Sequence, residues 1–188
     1  MSAMTDERGF NSRPRTVRDL EDMPDDGNRY ELIDGELLVS PAPQTDHQEI
    51  VAELLGRLRA ARPRGMTVLA APLAVQLSDK TELQPDLLAA PTAAFARKNL
   101  PEPPSLAVEV ISPSSVMNDL NRKKRIYERY GVPNYWVIDP IERSLVAFEL
   151  DGNGQYQIVA KVAGDEPFEA TEPFPIRFAV AELLGPFA

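Results

Sequence analysis

The chain reads as one mixed α/β domain: a central β-sheet core flanked by helices, with an N-terminal β-hairpin. Three observations predict this. "RYELIDGELLVS", residues 29–40, is two alternating apolar segments around Asp34-Gly35, the pair a two-residue type I′ turn prefers because both central positions need positive φ. Residues 45–61 and 118–130 carry apolar side chains at helical spacing. "LAVEVIS", from Leu106, is apolar on both faces of an extended segment, which marks a strand inside a sheet covered on both sides.

The elements follow in order. Residues 1–15 are polar and are expected to form a disordered tail, leaving residues 16–188 as the single domain. "TVRDLEDMP" suits one short helix stopped by Pro24. After the hairpin, Ile50, Leu54, Leu55 and Leu58 define an amphipathic helix that Pro63 and Gly65 end. "MTVLAAPLAVQLS" supplies two strands broken near Pro72, and "PDLLAA" a third whose opening Pro85 is tolerable at a strand start. Beyond the Pro-rich "LPEPPS" and the strand "LAVEVIS", the serines of "SPSS" are expected to cap a helix over 118–130, closed by Gly131 and Pro133. "YWVID" is a further strand, "SLVAFEL" and "GQYQIVAKV" a strand pair, and "IRFAVAELL" a final short helix or extended cover.

Composition removes several chemistries. With no cysteine, disulfides, thiolate zinc sites and cysteine nucleophiles are excluded. A single histidine, His47, rules out a multi-histidine metal site within one chain and leaves a serine nucleophile with only one candidate base. The formal net charge of −9 repels polyanions unless basic residues are gathered locally; Arg57, Arg59, Arg62 and Arg64, and Arg122, Lys124, Arg125 and Arg129, are the two such groups. No apolar segment approaches the ~20 residues of a membrane span, and the first residues lack the apolar core of a signal peptide. A cytoplasmic protein is expected.

The remaining chemistry rests on carboxylates and lysine. In "LAVEVIS", alternation puts Leu106, Val108 and Val110 on one face and Ala107, Glu109 and Ile111 on the other. An acid inside such a strand must be neutralised, paired, hydrated in a cleft, or used to hold a cation. Asp86 opens another apolar strand. In the second helix Lys123 falls within the stripe of Leu120, Ile126, Tyr127 and Tyr130, whereas Lys124 lies nearer its edge, in reach of Glu128. Two carboxylates on neighbouring strands favour a hard divalent cation between them, and a lysine at the rim would stabilise charge developing on a phosphate. These parts describe metal-dependent phosphodiester hydrolysis.

"YELIDGELLVSP", "QPDLL", "LAVEVISPSS" and "NDLNRKKRIYERYGVPNYWVIDP" together resemble the Uma-two family of restriction-endonuclease-like proteins, a branch of the PD-(D/E)XK nuclease superfamily. The resemblance runs from about Tyr30 to Pro140. It implies a restriction-endonuclease-like core with a helix on each side, and Mg²⁺ or Mn²⁺ held by Asp86, Glu109 and the backbone carbonyl of Val110. It also implies DNA as substrate and includes a histidine at the position of His47. The superfamily pattern expects lysine two residues after the glutamate, where this chain has Ile111; Lys123 is the matching position on the following helix. Cutting both strands of a duplex commonly uses two-fold symmetry, so a homodimer is a further expectation.

Other readings of the same residues stay open. Asp86 suits a turn cap or a solvated strand start, Glu109 a buried ion pair with Lys123, Lys123 a surface pair with Asp119, and Glu36 an exposed hairpin position. The same fold without the chemistry would be a binding or regulatory module for nucleic acid or protein. The same acids as core ion pairs would belong to a purely structural subunit.

Overall fold

The computed structural model describes residues 14–112 and 117–185, without the side chains of residues 117–119. The expected tail therefore lies almost wholly outside the described residues, as do Ser114 and Ser115 with their capping role and any side-chain pair made by Asp119. The chain forms strands β1 (Arg29–Ile33), β2 (Glu36–Ser40), β3 (Met66–Ala70), β4 (Ala74–Ser78), β5 (Thr81–Leu83), β6 (Leu87–Pro91) and β7 (Asn99–Leu100). It continues with β8 (Leu106–Val110), β9 (Asn134–Asp139), β10 (Ser144–Leu150), β11 (Tyr156–Ala163), β12 (Pro167–Ala170) and β13 (Ile176–Ala179). Helices α1 (Thr45–Ala61) and α2 (Met117–Arg129) join them, with short 3₁₀ turns at Val17–Asp22, Thr92–Ala94 and Val180–Leu183.

The hairpin forms where the turn pair required it. Asp34 and Gly35 both have positive φ, 53° and 85°, and β1 pairs with β2 in antiparallel register from Ile33↔Glu36 outward. Helix α1 buries His47, Ile50, Leu54 and Leu58 on one stripe. These positions follow 3- and 4-residue spacing, so His47 continues the apolar row at its N-terminal end. The short helix expected near residue 16 is a 3₁₀ turn, whose Thr16 N–H donates to the Asp19 carboxylate at 2.6 Å.

Six strands make a mixed sheet in the order β11-β10-β9-β8-β6-β3, in which only β8 and β9 run parallel. Its central strand β8 is buried at all five positions, as a strand covered on both faces must be. One face meets α1 and the cover formed by β12, β13 and the last 3₁₀ turn. There Leu106, Val108 and Val110 join Ile50, Leu54 and Leu58, and Trp136 meets Phe168 edge-on with centroids 4.9 Å apart. The segment after Asp151, whose role the sequence left open, thus extends the sheet through β11 and closes this core.

The other face meets α2 and a second sheet, in the order β2-β1-β5-β4-β7. Ala107 packs there with Ile126, Tyr127, Tyr135 and Ile33, while Leu88 and Ala90 meet Val75 and Leu100. Strands β5 and β7 have no counterpart in the sequence reading. They are three and two residues long, respectively, and exist through pairing: β5 links β1 to β4, and β7 adds to β4 in parallel.

Candidate active site

Strands β6 and β8 set two acids face to face. Their antiparallel register pairs Leu87 with Val108 and Leu88 with Ala107; one further residue along, Asp86 stands across from Glu109. The Asp86 carbonyl still accepts the Ala71 N–H at 3.0 Å, so its backbone stays in the sheet. Asp86 is 3% and Glu109 4% exposed, which removes the solvated reading of Asp86. Like charges directly opposite on a sheet repel, and here every carboxylate oxygen has a partner.

Asp86 takes Arg29 Nη1 on Oδ1 at 3.0 Å, and on Oδ2 both the Val110 N–H at 2.8 Å and His47 Nε2 at 3.1 Å. Glu109 receives Lys123 Nζ at 3.2 Å on each oxygen and the Tyr127 hydroxyl at 3.0 Å on Oε1. Lys123 also lies 3.0 Å from Oε1 of a third buried acid, Glu31. Gln84 N–H donates to that same oxygen at 2.7 Å, while Oε2 of Glu31 is buried with no hydrogen-bond partner.

Each side chain arrives through the periodicity of its element. Arg29 and Glu31 are two apart on β1 and so share one face. Lys123 precedes Ile126 and Tyr127 by three and four residues, and all three are buried on one side of α2. His47 reaches Asp86 as the first member of the α1 stripe.

The electrostatics follow from burial and these partners. Burial would raise Asp86, but the hydrogen bond and charge of His47, the Arg29 guanidinium and the Val110 N–H together bring it down from 3.8 to about 2. Burial pushes Glu109 up to about 7; Lys123 opposes this, while Asp86 and Glu31 add to it. Lys123 is held above its ordinary value because Glu109, Glu31 and Asp86 outweigh its desolvation. Tyr127 rises well above 10 by burial and the nearby carboxylates, and so serves as a neutral donor.

A cavity of about 160 Å³ opens onto Asp86, Glu109, Val110 and Lys123. A larger groove, about 1130 Å³, adjoins it and shares Arg29, His47 and Asp86 as a wall, but reaches neither Glu109 nor Lys123. The donor set fits a hard cation in chemistry: three carboxylates face the two permanent cations Arg29 and Lys123, and one carboxylate oxygen is bare. A residue in an extended strand turns its N–H and C=O to the same side, so the Val110 carbonyl faces the Asp86 edge along with its N–H. Among the described residues, no group of three or more His, Asp or Glu side chains is placed to hold a metal. Two carboxylates, one carbonyl and water suit Mg²⁺, which keeps several waters.

A family model described as "Uma2: Putative restriction endonuclease" matches residues 17–182. The chain belongs to the Uma2 family. A solved structure of similar fold is that of a "putative nuclease belonging to DUF820" from Anabaena variabilis, at TM-score 0.71 and 17% identity, covering 90% of this chain and 97% of that one. The restriction-endonuclease-like fold expected from the sequence is thereby shown. No curated protein matches the chain.

In this Uma2 chain, Arg29, Glu31 and Tyr127 are the cluster members that sequence reasoning did not single out. Glu31 carried a signal, since it sits between Tyr30 and Leu32 as Glu109 sits between Val108 and Val110. Other expectations resolve differently. Ile111, at the position the superfamily gives to lysine, is half-buried. Glu36 is exposed and pairs with Arg122 at 2.7 Å. Lys124 lies 4.3 Å above the Phe148 ring rather than on Glu128, whose carboxylate accepts the Tyr156 N–H at 2.6 Å. Part of the basic clusters is spent internally, through Arg57 with Glu182, Arg122 with Glu36 and Arg129 with Asp34. No helix among the described residues is long and apolar enough to cross a membrane.

Proposed function

We propose that this chain is a divalent-metal-dependent nuclease that hydrolyses phosphodiester bonds of DNA. The observation that carries the reading is the juxtaposition of Asp86 and Glu109 on adjacent strands, facing one cavity with the buried Lys123 ammonium. Asp86, Glu109 and the Val110 carbonyl would hold Mg²⁺ or Mn²⁺. Such an ion, when bound, supplies Lewis-acid polarisation of a phosphoryl oxygen and a more acidic water. Arg29 and His47 keep Asp86 ionised and ready to accept a cation. Glu109 gives up Lys123 as its counter-charge, which leaves an ammonium in the cavity to stabilise negative charge on a phosphate. The buried surroundings of Tyr127 and Ile126 keep water away, so that charge is screened less than in bulk solvent.

Purified chain incubated with plasmid DNA in Mg²⁺ or Mn²⁺ is expected to cleave it, and Asp86→Asn and Glu109→Gln each to lower the rate at least about 100-fold. Undiminished cleavage in both variants refutes the assignment. Metal titration by calorimetry is expected to show binding to the wild-type chain that Asp86→Asn removes. A homodimer is proposed for duplex cutting, with sedimentation of the chain on a short duplex as its check, and the cytoplasm as the compartment in which that DNA is met.

One observation favours a second reading. All four oxygens of Asp86 and Glu109 already have protein partners, as they would in a binding module or structural subunit that holds no metal. Folded protein that takes up no metal at millimolar concentration, and whose Asp86→Asn variant only melts earlier, supports that reading.

A further inference from the structure

Lys123 is held by two acids, and only one of them is a proposed metal ligand. Its Nζ lies 3.2 Å from both oxygens of Glu109 and 3.0 Å from Oε1 of Glu31. Glu109 faces Asp86 across β6 and β8, so its oxygens are the ones a cation would take. Glu31 comes from β1 in the other sheet. We infer that Glu31 is a positioning residue, the anchor that keeps the Lys123 ammonium in the cavity once Glu109 is engaged elsewhere. The catalytic consequence rests on the nuclease reading; the anchoring is a property of the chain alone.

Three features of Glu31 carry this. The residue is 1% exposed and its Oε1 is fixed by the Gln84 N–H, two residues before Asp86, which ties the anchor to the strand that bears the other acid. Its Oε2 is buried without a partner, a costly arrangement that packing alone does not require. An ammonium has three donors, and one that leaves Glu109 can take both oxygens of Glu31 while turning its remaining N–H toward a phosphate. The third feature is the route of the lysine itself. Lys123 reaches the cavity from α2 on a long flexible stem, while Ile111, two residues after Glu109 and just past the end of β8, carries no charge. A lysine so delivered loses its place unless something other than the metal ligand holds it.

The primary test uses the full chain without metal and reads lysine labelling, so it does not depend on catalysis. Acetylation of Lys123 by acetic anhydride, followed by mass spectrometry with Lys124 as internal reference, reads whether the ammonium is held. Lys123 is expected to stay protected in wild type and in Glu109→Gln, and to label several-fold faster in the Glu31→Gln/Glu109→Gln double variant, with circular dichroism showing each to be folded. If the double variant does not fold, Glu31→Gln at saturating Mg²⁺ makes the same comparison with the cation in place of the second substitution. Equal protection with and without Glu31 in either comparison overturns the inference.

In the cleavage assay Glu31→Gln is expected to lower kcat about 100-fold with KM little changed. Glu31→Asp, which keeps the charge, is expected to restore part of the loss. A kcat unaffected by Glu31→Gln also overturns the positioning role. Anchoring by Glu31 in a wild-type chain that cleaves no DNA would instead refute the nuclease reading and leave the anchoring standing.

Discussion

The two faces of β8 solve the burial problem in opposite ways. Toward α1, Leu106, Val108 and Val110 meet Ile50, Leu54 and Leu58, and cohesion is a matter of volume filled. Toward α2, the same five-residue strand presents Ala107 and Glu109 to Lys123, Tyr127 and the Glu31 carboxylate. There cohesion depends on charges that cancel only as a set. The apolar face tolerates change in proportion to the atoms lost, whereas on the polar face losing one member costs more than its own atoms, because buried charges are left short of a partner. A protein with no use for that face would be simpler with hydrophobic residues on both sides. The charged face is therefore where function is expected, and the α1 face is its support.

The largest effect expected is that of Lys123→Met, which leaves Glu31 and Glu109 buried without their shared cation. It should destabilise the chain by about 3–5 kcal/mol in urea unfolding. Adding Glu31→Gln and Glu109→Gln to the same chain should recover most of that loss, since the charges then leave together; no recovery would mean that the lysine stem, not its charge, holds this face. On the opposite side Leu54→Ala, at a fully buried position, should cost about 2–5 kcal/mol. Its metal affinity by calorimetry should be unchanged, and a change would break the separation between the two faces.

A smaller and more diagnostic effect lies in pH. Glu109 has its pKa raised from 4.5 to about 7 in the folded chain, so between these values the native state holds a proton that the unfolded chain releases. Stability without metal should therefore fall as pH rises through that window, by up to about 1.4 kcal/mol per pH unit, and level off above it. Melting curves across the window should show the slope in wild type, its loss in Glu109→Gln, and its persistence in Leu54→Ala. Asp86 contributes the reverse: lowered from 3.8 to about 2, its stabilisation is complete above 3.8 and lost as pH falls through 2. The smallest effect should be that of Lys124→Ala. It removes an ammonium from above Phe148, at the edge of α2 rather than in its stripe, and should cost about 0.5–1 kcal/mol with no change in cleavage.

What the sequence determined by itself was local and periodic. Asp34-Gly35 dictated the hairpin through positive φ, the spacing of Ile50, Leu54 and Leu58 dictated α1 over Thr45–Ala61, and the alternation in "LAVEVIS" assigned each residue of β8 to its face. The same periodicities selected Glu109 and Lys123, because an acid inside an apolar strand and a lysine inside an apolar stripe are visible as breaks in a pattern; Asp86 stood out by opening an apolar strand and by the family resemblance.

What only the tertiary structure decided was which elements meet. Strand β5 is three residues with no pattern of its own and is defined by its neighbours β1 and β4. Glu31 and Glu109 are 78 positions apart in the chain and belong to different sheets, yet they share one ammonium. Their meeting depends on how the second sheet lies against the α2 face of the first. No local pattern encodes it, because the energy that fixes it comes from long-range strand pairing and from the mutual neutralisation of charges.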